Sequence, residues 1–127
     1  NQGFRWRMEC SLGATGNTKN FTVHVGDKST TIATTENNKS LSIEVTGLYI
    51  ESNGHFSYYA EFHVAGAAVA TTIPKYAGDT VTTINFATTA MTCKLVLKNG
   101  AAAADDCILQ AGRFEYFGVP TAAYDQR

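Results

Sequence analysis

Residues 4–12 read FRWRMECSL, and apolar and polar side chains alternate strictly through this stretch. One parity carries the apolar residues Phe4, Trp6, Met8, Cys10 and Leu12. The other parity carries Arg5, Arg7, Glu9 and Ser11. Because successive side chains of a β-strand point to opposite faces, this period of two predicts a strand with one face on a core and the other in water. The outward arginines would discourage pairing with a neighbouring sheet edge.

The same alternation recurs along the rest of the chain, and helical periodicity is nearly absent. The clearest case is HFSYYAEFHV at residues 55–64, in which every second residue is apolar. Further strands are predicted at 21–25, 29–35, 40–46, 67–73, 80–86, 91–97 and 112–119. With turn signals about every 8–12 residues, this pattern predicts an all-β antiparallel β-sandwich, immunoglobulin-like or jelly-roll-like, with about eight or nine strands and no substantial helix. We expect a single domain over residues 1–127.

Two glycines mark breaks in the pattern. Asn53-Gly54 is the strongest short hairpin signal in the chain, since both residues accept the positive φ of a tight hairpin turn. Gly47 follows the alternating stretch 40–46, and beyond it Leu48 and Ile50 fall on the opposite parity. A one-residue β-bulge at Gly47 would produce this change of parity.

The composition argues against some partners and favours export. The chain has 127 residues, a net charge of −1 and a pI of about 6.3. This balance gives no electrostatic reason to expect nucleic acid, and no apolar run approaches the roughly 20 residues of a membrane span. The sequence starts at Asn1 and is rich in Thr, Asn, Gly and Ala. We therefore expect an extracellular or cell-surface protein whose signal peptide has been removed, although a trimmed chain or loss of the initiator Met would give the same start.

The cysteines Cys10, Cys93 and Cys107 leave one thiol over if a disulfide forms. A turn near Asn99-Gly100 would place Cys93 and Cys107 opposite each other across a hairpin. This geometry predicts a Cys93–Cys107 disulfide with Cys10 as the odd thiol, although Cys10 could replace either partner. The alternative is three buried free thiols in a reducing compartment.

Two glycosylation sequons occur, NFT at Asn20 and NKS at Asn38. Both lie in or beside predicted loops, where a glycan can be accommodated. We therefore treat Asn20 and Asn38 as candidate glycosylation sites of an exported protein.

No spacing of catalytic or metal-binding residues points to an enzyme. His55 and His63 lie on one predicted strand, about 26 Å apart, which is too far for both to bind one metal ion. The sequence contains no GxSxG, and its cysteines lie at apolar positions where burial makes a thiol unreactive. Asp105-Asp106 fall in a predicted solvated loop without the ligand spacing of a calcium site. The sequence therefore predicts no metal, no cofactor and no catalytic activity.

The outward face of the strand at 55–64 is the candidate ligand-binding surface. It carries Tyr59 together with His55, Glu61 and His63. An aromatic ring flanked by polar groups can stack on a sugar ring or form the centre of a protein interface. This face predicts binding of a carbohydrate or of a protein.

The first strand has two alternative roles. It is either an ordinary strand of the chain's own sheet or an assembly strand, formed by Phe4, Trp6, Met8 and Leu12, that inserts into another subunit. The second role is open because a terminal strand followed by a polar loop of about eight residues can swap between subunits.

These observations predict a non-enzymatic extracellular subunit with a structural or adhesive role. It would act through surface contacts with a protein partner or with copies of itself, and exchange of the N-terminal strand would build a filament or multimer. One alternative is a recognition module for carbohydrate or protein. A second alternative is a coat subunit of a virus or phage.

Overall fold

A computed structural model describes residues 2–26, 28–50, 55–65, 67–72, 92–101 and 105–118. Within these ranges the chain is all-β, as the alternation predicts, with eight strands and no helix. The strands are β1 (Gln2–Leu12), β2 (Lys19–Val25), β3 (Lys28–Thr34), β4 (Ser40–Ile50), β5 (His55–Val64), β6 (Ala67–Thr72), β7 (Cys93–Asn99) and β8 (Cys107–Phe117). The predicted strand at 80–86 and the predicted turn at Asn53-Gly54 lie outside the described residues.

The strands form two antiparallel sheets. The larger sheet has the order β6-β5-β4-β1-β8, and the smaller sheet has the order β3-β2-β7. β1 therefore lies between β4 and β8 and pairs with both of them along almost its whole length. β8 is the last strand of its sheet, and no described strand pairs with its far side. The first strand of the chain is thus interior, whereas the last described strand is an edge.

One bulge interrupts the pairing of β8 with β1. The register shifts between Glu9 and Cys10, whose partners are Ala111 and Leu109, so Gln110 is the extra residue. From residue 111 to residue 117 the pairing is regular. Gly118 then has a φ of 65°, a conformation that glycine adopts without steric cost and that ends the strand. Residues 111–117 therefore form a regularly paired segment with a break at each end.

The hydrophobic core contains side chains from both sheets. Alternate side chains of β1, β2, β4 and β5 are buried, as their apolar parity predicts. They form one hydrophobic cluster, together with Ile32 of β3: Phe4, Met8, Cys10, Leu12, Phe21, Val23, Val25, Leu41, Ile43, Val45, Tyr58, Ala60, Phe62 and Val64. Trp6 packs against this cluster and is partly buried. Because one cluster contains residues of both sheets, the two sheets bury the same core.

The prediction of a β-bulge at Gly47 is wrong. Gly47 pairs with Phe4 on one side and with Tyr58 on the other, and both registers run through it without a shift. A Cβ atom at this position would overlap the ring of Phe4, so the glycine provides the space that the ring fills. Leu48 consequently keeps the outward parity and is exposed.

A buried ion pair holds the start of β8 against the loop after β1. Lys19 is 0% exposed, and its Nζ donates hydrogen bonds to the backbone oxygens of Thr15, Asn17 and Glu36 at 2.6, 3.1 and 3.0 Å. Its Nζ also lies 3.6 Å from Oδ2 of Asp106, which is 2% exposed. A buried charge is tolerated when hydrogen bonds and an opposite charge satisfy it. The ammonium of Lys19 meets this condition.

Asp106 is not the solvated loop residue that the sequence predicts. The backbone N–H of Thr15 donates to Oδ1 of Asp106 at 3.2 Å, and the Thr15 hydroxyl donates to Oδ2. These hydrogen bonds, aided by Asn99 and the charge of Lys19, lower the pKa of Asp106 against the opposing effect of burial. The cluster therefore joins three separate parts of the chain and fixes where β8 begins.

Candidate functional site

The side chains predicted to bind a ligand form a row on the outward side of β5. Tyr59, Glu61 and His63 alternate along the strand and are all partly exposed. Nε2 of His63 lies 3.3 Å from Oε2 of Glu61. His55 begins the same strand opposite Ile50, but its side chain lies outside the described residues. The structure thus brings Tyr59, Glu61 and His63 to one face.

This face continues onto β4 and β1 as a row of charges. Glu44 lies directly opposite Glu61, and Arg7 donates from Nε to Oε2 of Glu44 at 3.0 Å. Nε of Arg5 lies 3.6 Å from the other oxygen of Glu44. These exposed pairs contribute little stability, about 0–1 kcal/mol each, because water screens them. The centre of the face is a solvated ladder of charges rather than an aromatic platform.

An apolar cavity of about 310 Å³ lies at the end of this face. It is lined by Thr46, Leu48, Ser57, Tyr58, Tyr59 and Phe117. Phe117 reaches it across Gly3, since a Cβ atom on Gly3 would lie 2.5 Å from the end of the Phe117 ring. Oγ1 of Thr46 is buried and has no hydrogen-bond partner among the described residues. The cavity is at the small end of the range for ligand sites, and none of the described residues that line it is charged.

A second candidate surface lies along the edge strand β8. Phe114 and Tyr116 point to the core side of the sheet, opposite Trp6 and Phe4, yet they are 39% and 71% exposed. The rings of Phe114 and Phe4 stack with centroids 5.1 Å apart, and Tyr116 meets Phe114 edge-on at 5.0 Å. Phe117, on the opposite face, is also exposed. We call Phe114, Tyr116 and Phe117 the edge aromatics.

The edge aromatics are unusual because of where they lie. Large apolar side chains commonly appear singly on protein surfaces. Here they are neighbours on a strand whose outer backbone N–H and C=O groups meet no described strand. Proteins usually protect such an edge with charges, prolines or a covering segment, because it can pair with another chain. Among the described strands, β8 therefore combines an edge without a partner and exposed aromatic rings.

Two outward side chains of β8 beside the edge aromatics, Arg113 and Glu115, carry opposite charges. Nε of Arg113 lies 2.8 Å from Oε1 of Glu115. Arg113 lies opposite Arg7 in the sheet, whereas Glu115 lies opposite Arg5. Arg113 therefore faces the like charge of Arg7, and its ion pair with Glu115 offsets this repulsion.

The cysteines do not support the predicted disulfide. All three are free, and the hairpin from which the Cys93–Cys107 bridge was inferred does not form, because β7 pairs with β2 whereas β8 pairs with β1. Burial raises the pKa of Cys10 and of Cys93 to about 11, with Glu9 adding to the effect at Cys10. Burial and the charge of Asp106 also raise the pKa of Cys107. The thiols are therefore protonated and weakly nucleophilic at neutral pH.

The predicted assembly strand is an integral part of its own sheet. Phe4, Met8 and Leu12 are buried, and Trp6 packs against the core. β1 is hydrogen-bonded on both sides, so it is not a free strand in this structure. Exchange between subunits would require β1 to leave both β4 and β8.

The two sequon asparagines lie in different surroundings. Asn20 is in the middle strand of the smaller sheet and is partly exposed. Asn38 lies in the loop before β4, is exposed and has a φ of 50°. An exposed loop accommodates a glycan more readily than a central strand, so Asn38 is the better acceptor of the two predicted sites.

In the described part of the chain, no group of three His, Cys, Asp or Glu side chains is placed to bind a metal ion. The same residues contain no helix with the length and hydropathy needed to cross a membrane.

No protein-family model matches this chain, and neither a curated protein nor a solved structure is detectably similar to it. The candidate functions therefore depend on the surfaces described above.

The edge aromatics were not among the residues that the sequence singled out as a site. The stretch 112–119 alternates like the other strands, so nothing in it marks β8 as an edge. A partial signal exists, because Phe114 and Tyr116 lie on one parity and Phe117 lies on the other. Such a two-faced aromatic strand would place at least one large ring in water unless both faces were covered.

Proposed function

We propose that this chain is a non-enzymatic structural subunit that acts through surface contacts and associates with other chains. The observation that carries the proposal is the edge strand β8, which has exposed aromatic side chains and no strand on its far side among the described residues. Interfaces are enriched in aromatic side chains, and an unpaired sheet edge supplies backbone hydrogen bonds to a partner.

The same proposal includes the finer architecture and the location. One shared core between two antiparallel sheets supports a β-sandwich, and the short polar β-forming residues are typical of exported β proteins. An extracellular or cell-surface location follows from this composition. A filament built by exchange of β1 belongs to the proposal as its slower form, because β1 must first leave two neighbouring strands.

The oligomeric state tests the proposal. Light scattering coupled to size-exclusion chromatography, over a wide range of protein concentrations, should show a dimer or larger assembly that dissociates on dilution. Tyr116→Ser combined with Phe117→Ser should shift the assembly toward monomer. Val96→Ser is the matched control, because Val96 is exposed on β7 and should leave assembly unchanged. A wild-type chain that stays monomeric at the highest concentration contradicts the proposal.

The rate of assembly separates the two forms of association. Pairing at an exposed edge needs no unfolding, so it should re-equilibrate within the time of mixing. Exchange of β1 requires sub-global opening and should be slow. Mixing two differently labelled populations and following energy transfer between them measures this rate directly.

A recognition module is the second candidate, and the cavity beside Tyr59 favours it. The ring of Tyr59 lines about 310 Å³ of apolar space next to Glu61 and His63. A glycan array with the wild-type chain should then give a hit that Tyr59→Ala abolishes. Tyr116→Ser, which lies away from the cavity lining, should leave that hit intact.

A further inference from the structure

We propose that two copies of this chain pair antiparallel through β8, with Phe114 of each copy opposite Phe114 of the other. This inference rests on the proposed function and names its partner, a second copy, and its register. The pairing would join two five-stranded sheets into one continuous sheet around a two-fold axis, which is the commonest symmetry of protein dimers.

The regularly paired segment of β8 determines which residues can take part in the pairing between copies. Regular pairing with β1 covers residues 111–117, the bulge at Gln110 ends it on one side, and Gly118 ends it on the other. A segment can pair with its own copy over its full length only when the two-fold axis lies beside its central residue. The centre of residues 111–117 is Phe114.

The faces of the sheet restrict the register further. A two-fold axis perpendicular to a sheet keeps each side chain on its own face, and residues directly opposite each other in an antiparallel pair share a face. The axis must therefore lie midway between one residue and the same residue of the other copy, so a single residue marks the centre of the pairing. Near the middle of the segment the possible centres are Arg113, Phe114 and Glu115.

The charges distinguish these three registers. A centre at Arg113 places that arginine opposite its own copy, and a centre at Glu115 does the same for the glutamate. Like charges directly opposite each other destabilise a strand pair. A centre at Phe114 places Arg113 of each copy opposite Glu115 of the other, which forms two ion pairs across the interface. Charge complementarity therefore selects the register that also gives complete overlap.

The aromatic face fits the same register. Gly112 of each copy lies opposite Tyr116 of the other, so the most exposed of the edge aromatics meets a residue without a side chain. Ala111 likewise lies opposite Phe117 on the outward face. Tyr116 and Phe117 therefore each meet a small residue, and the two Phe114 rings meet at the axis. The pairing covers apolar surface that the single chain leaves exposed.

The test exchanges the charges one at a time. Arg113→Glu places glutamates opposite each other in every pair of copies, and Glu115→Arg places arginines opposite each other. Each variant alone should self-associate at least about tenfold more weakly than the wild type, in analytical ultracentrifugation at low ionic strength. An equimolar mixture of the two variants should form a heterodimer with affinity close to that of the wild-type dimer. The double variant Arg113→Glu/Glu115→Arg should recover the homodimer.

The mixture isolates contact between copies from effects within one chain. Each single variant also loses the 2.8 Å ion pair between residues 113 and 115, and mixing cannot restore that pair. Recovery on mixing therefore reports only the contact between copies. Lys94→Glu is the matched control, since it reverses an exposed charge on β7 and should leave self-association unchanged.

The outcomes separate this inference from the proposed function. If the wild type associates but the mixture of variants does not recover, the register is wrong while the structural role stands. If the wild type is monomeric throughout, both fail. Hydrogen exchange gives the remaining outcome: if the amides of residues 111–117 are equally protected in dilute monomer and in dimer, another part of the chain covers the edge and the inference is overturned.

Discussion

The two strands that flank β1, β4 and β8, share the same alternating pattern but differ in how deeply their inward side chains are buried. On the β4 side, the inward residues opposite Trp6 and Met8 are Val45 and Ile43, and both are buried. On the β8 side, the inward residue opposite Trp6 is Phe114, which is 39% exposed. Both neighbours of β1 are antiparallel strands with apolar residues on the core parity. Alternation therefore states which side chains share a face, but it does not state whether a second layer covers that face.

The difference separates two uses of aromatic residues. Phe62 on β5 lies inside the core with 0% exposure and holds the fold together. The edge aromatics lie on a strand that is paired on one side only among the described residues. If this comparison is right, substitutions in the two regions should have opposite effects on stability and on association.

The largest effect is expected from Phe62→Ala. Removing a fully buried aromatic ring leaves a cavity and should lower the free energy of unfolding by about 3–5 kcal/mol. Phe117→Ala, the matched aromatic control at the edge, should cost less than about 1 kcal/mol. Urea unfolding followed by fluorescence measures both. Equal losses of unfolding free energy at the two positions would show that Phe117 is as deeply buried as Phe62, which contradicts the comparison.

The next effect is expected from Lys19→Met. The change keeps an unbranched side chain that is only one atom shorter. It leaves the buried carboxylate of Asp106 without its cation and three backbone oxygens without their donor. Breaking a buried pair is strongly destabilising, so the melting temperature should fall by about 10 °C. Lys94→Met, on the exposed side of β7, is the control and should change little. A stable Lys19→Met variant would mean that the pair does not hold β8 in place.

Acid should weaken the same junction. Hydrogen bonds from Thr15 hold the pKa of Asp106 below its ordinary range, so the folded state binds this proton less readily than the unfolded state does. The resulting stability is fully present above the ordinary aspartate pKa of about 4 and is lost as the pH falls below it. Melting curves between pH 3 and pH 6 test this dependence. Asp106→Asn should flatten the acid limb; an unchanged limb would assign it to other carboxyl groups.

The smallest effect on stability is expected from Tyr116→Ser. Tyr116 is 71% exposed in the single chain, so the free energy of unfolding of the monomer should change by no more than about 0.5 kcal/mol. The same substitution should weaken self-association clearly, because this ring would be covered in the paired state. Thermal melts at low concentration, together with sedimentation at high concentration, separate the two readouts. A large loss of monomer stability would place Tyr116 in the core instead.

Several elements follow from local pattern. The apolar parity of residues 4–12 and 55–64 correctly predicts which side chains of β1 and β5 face the core, because a period of two is the geometry of a pleated strand. The prediction of a bulge at Gly47 is wrong, because the pattern within one strand does not show that the Phe4 ring of the neighbouring strand fills the space beside this glycine. Nothing near Lys19 or Asp106 indicates their pairing, since 87 residues separate them.

The candidate sites divide in the same way. Tyr59, Glu61 and His63 could be placed on one face from sequence, because they lie two residues apart on a single strand. The cavity beside them could not, since Phe117 reaches it from β8 across Gly3. The disulfide prediction failed for a related reason: it assumed that neighbouring strands in the chain are neighbours in a sheet, whereas β7 and β8 lie in different sheets.

By itself, the sequence determined that this protein is built from strands and which side chains of each strand share a face. These properties depend on the local geometry of the backbone and on the hydrophobicity of single residues. Only the tertiary structure decided that the first strand is interior, that β8 has no described strand on its far side, and that Lys19 meets Asp106. Strand order and cover arise from contacts between residues far apart in the chain, and a pattern within one strand contains no record of its neighbours.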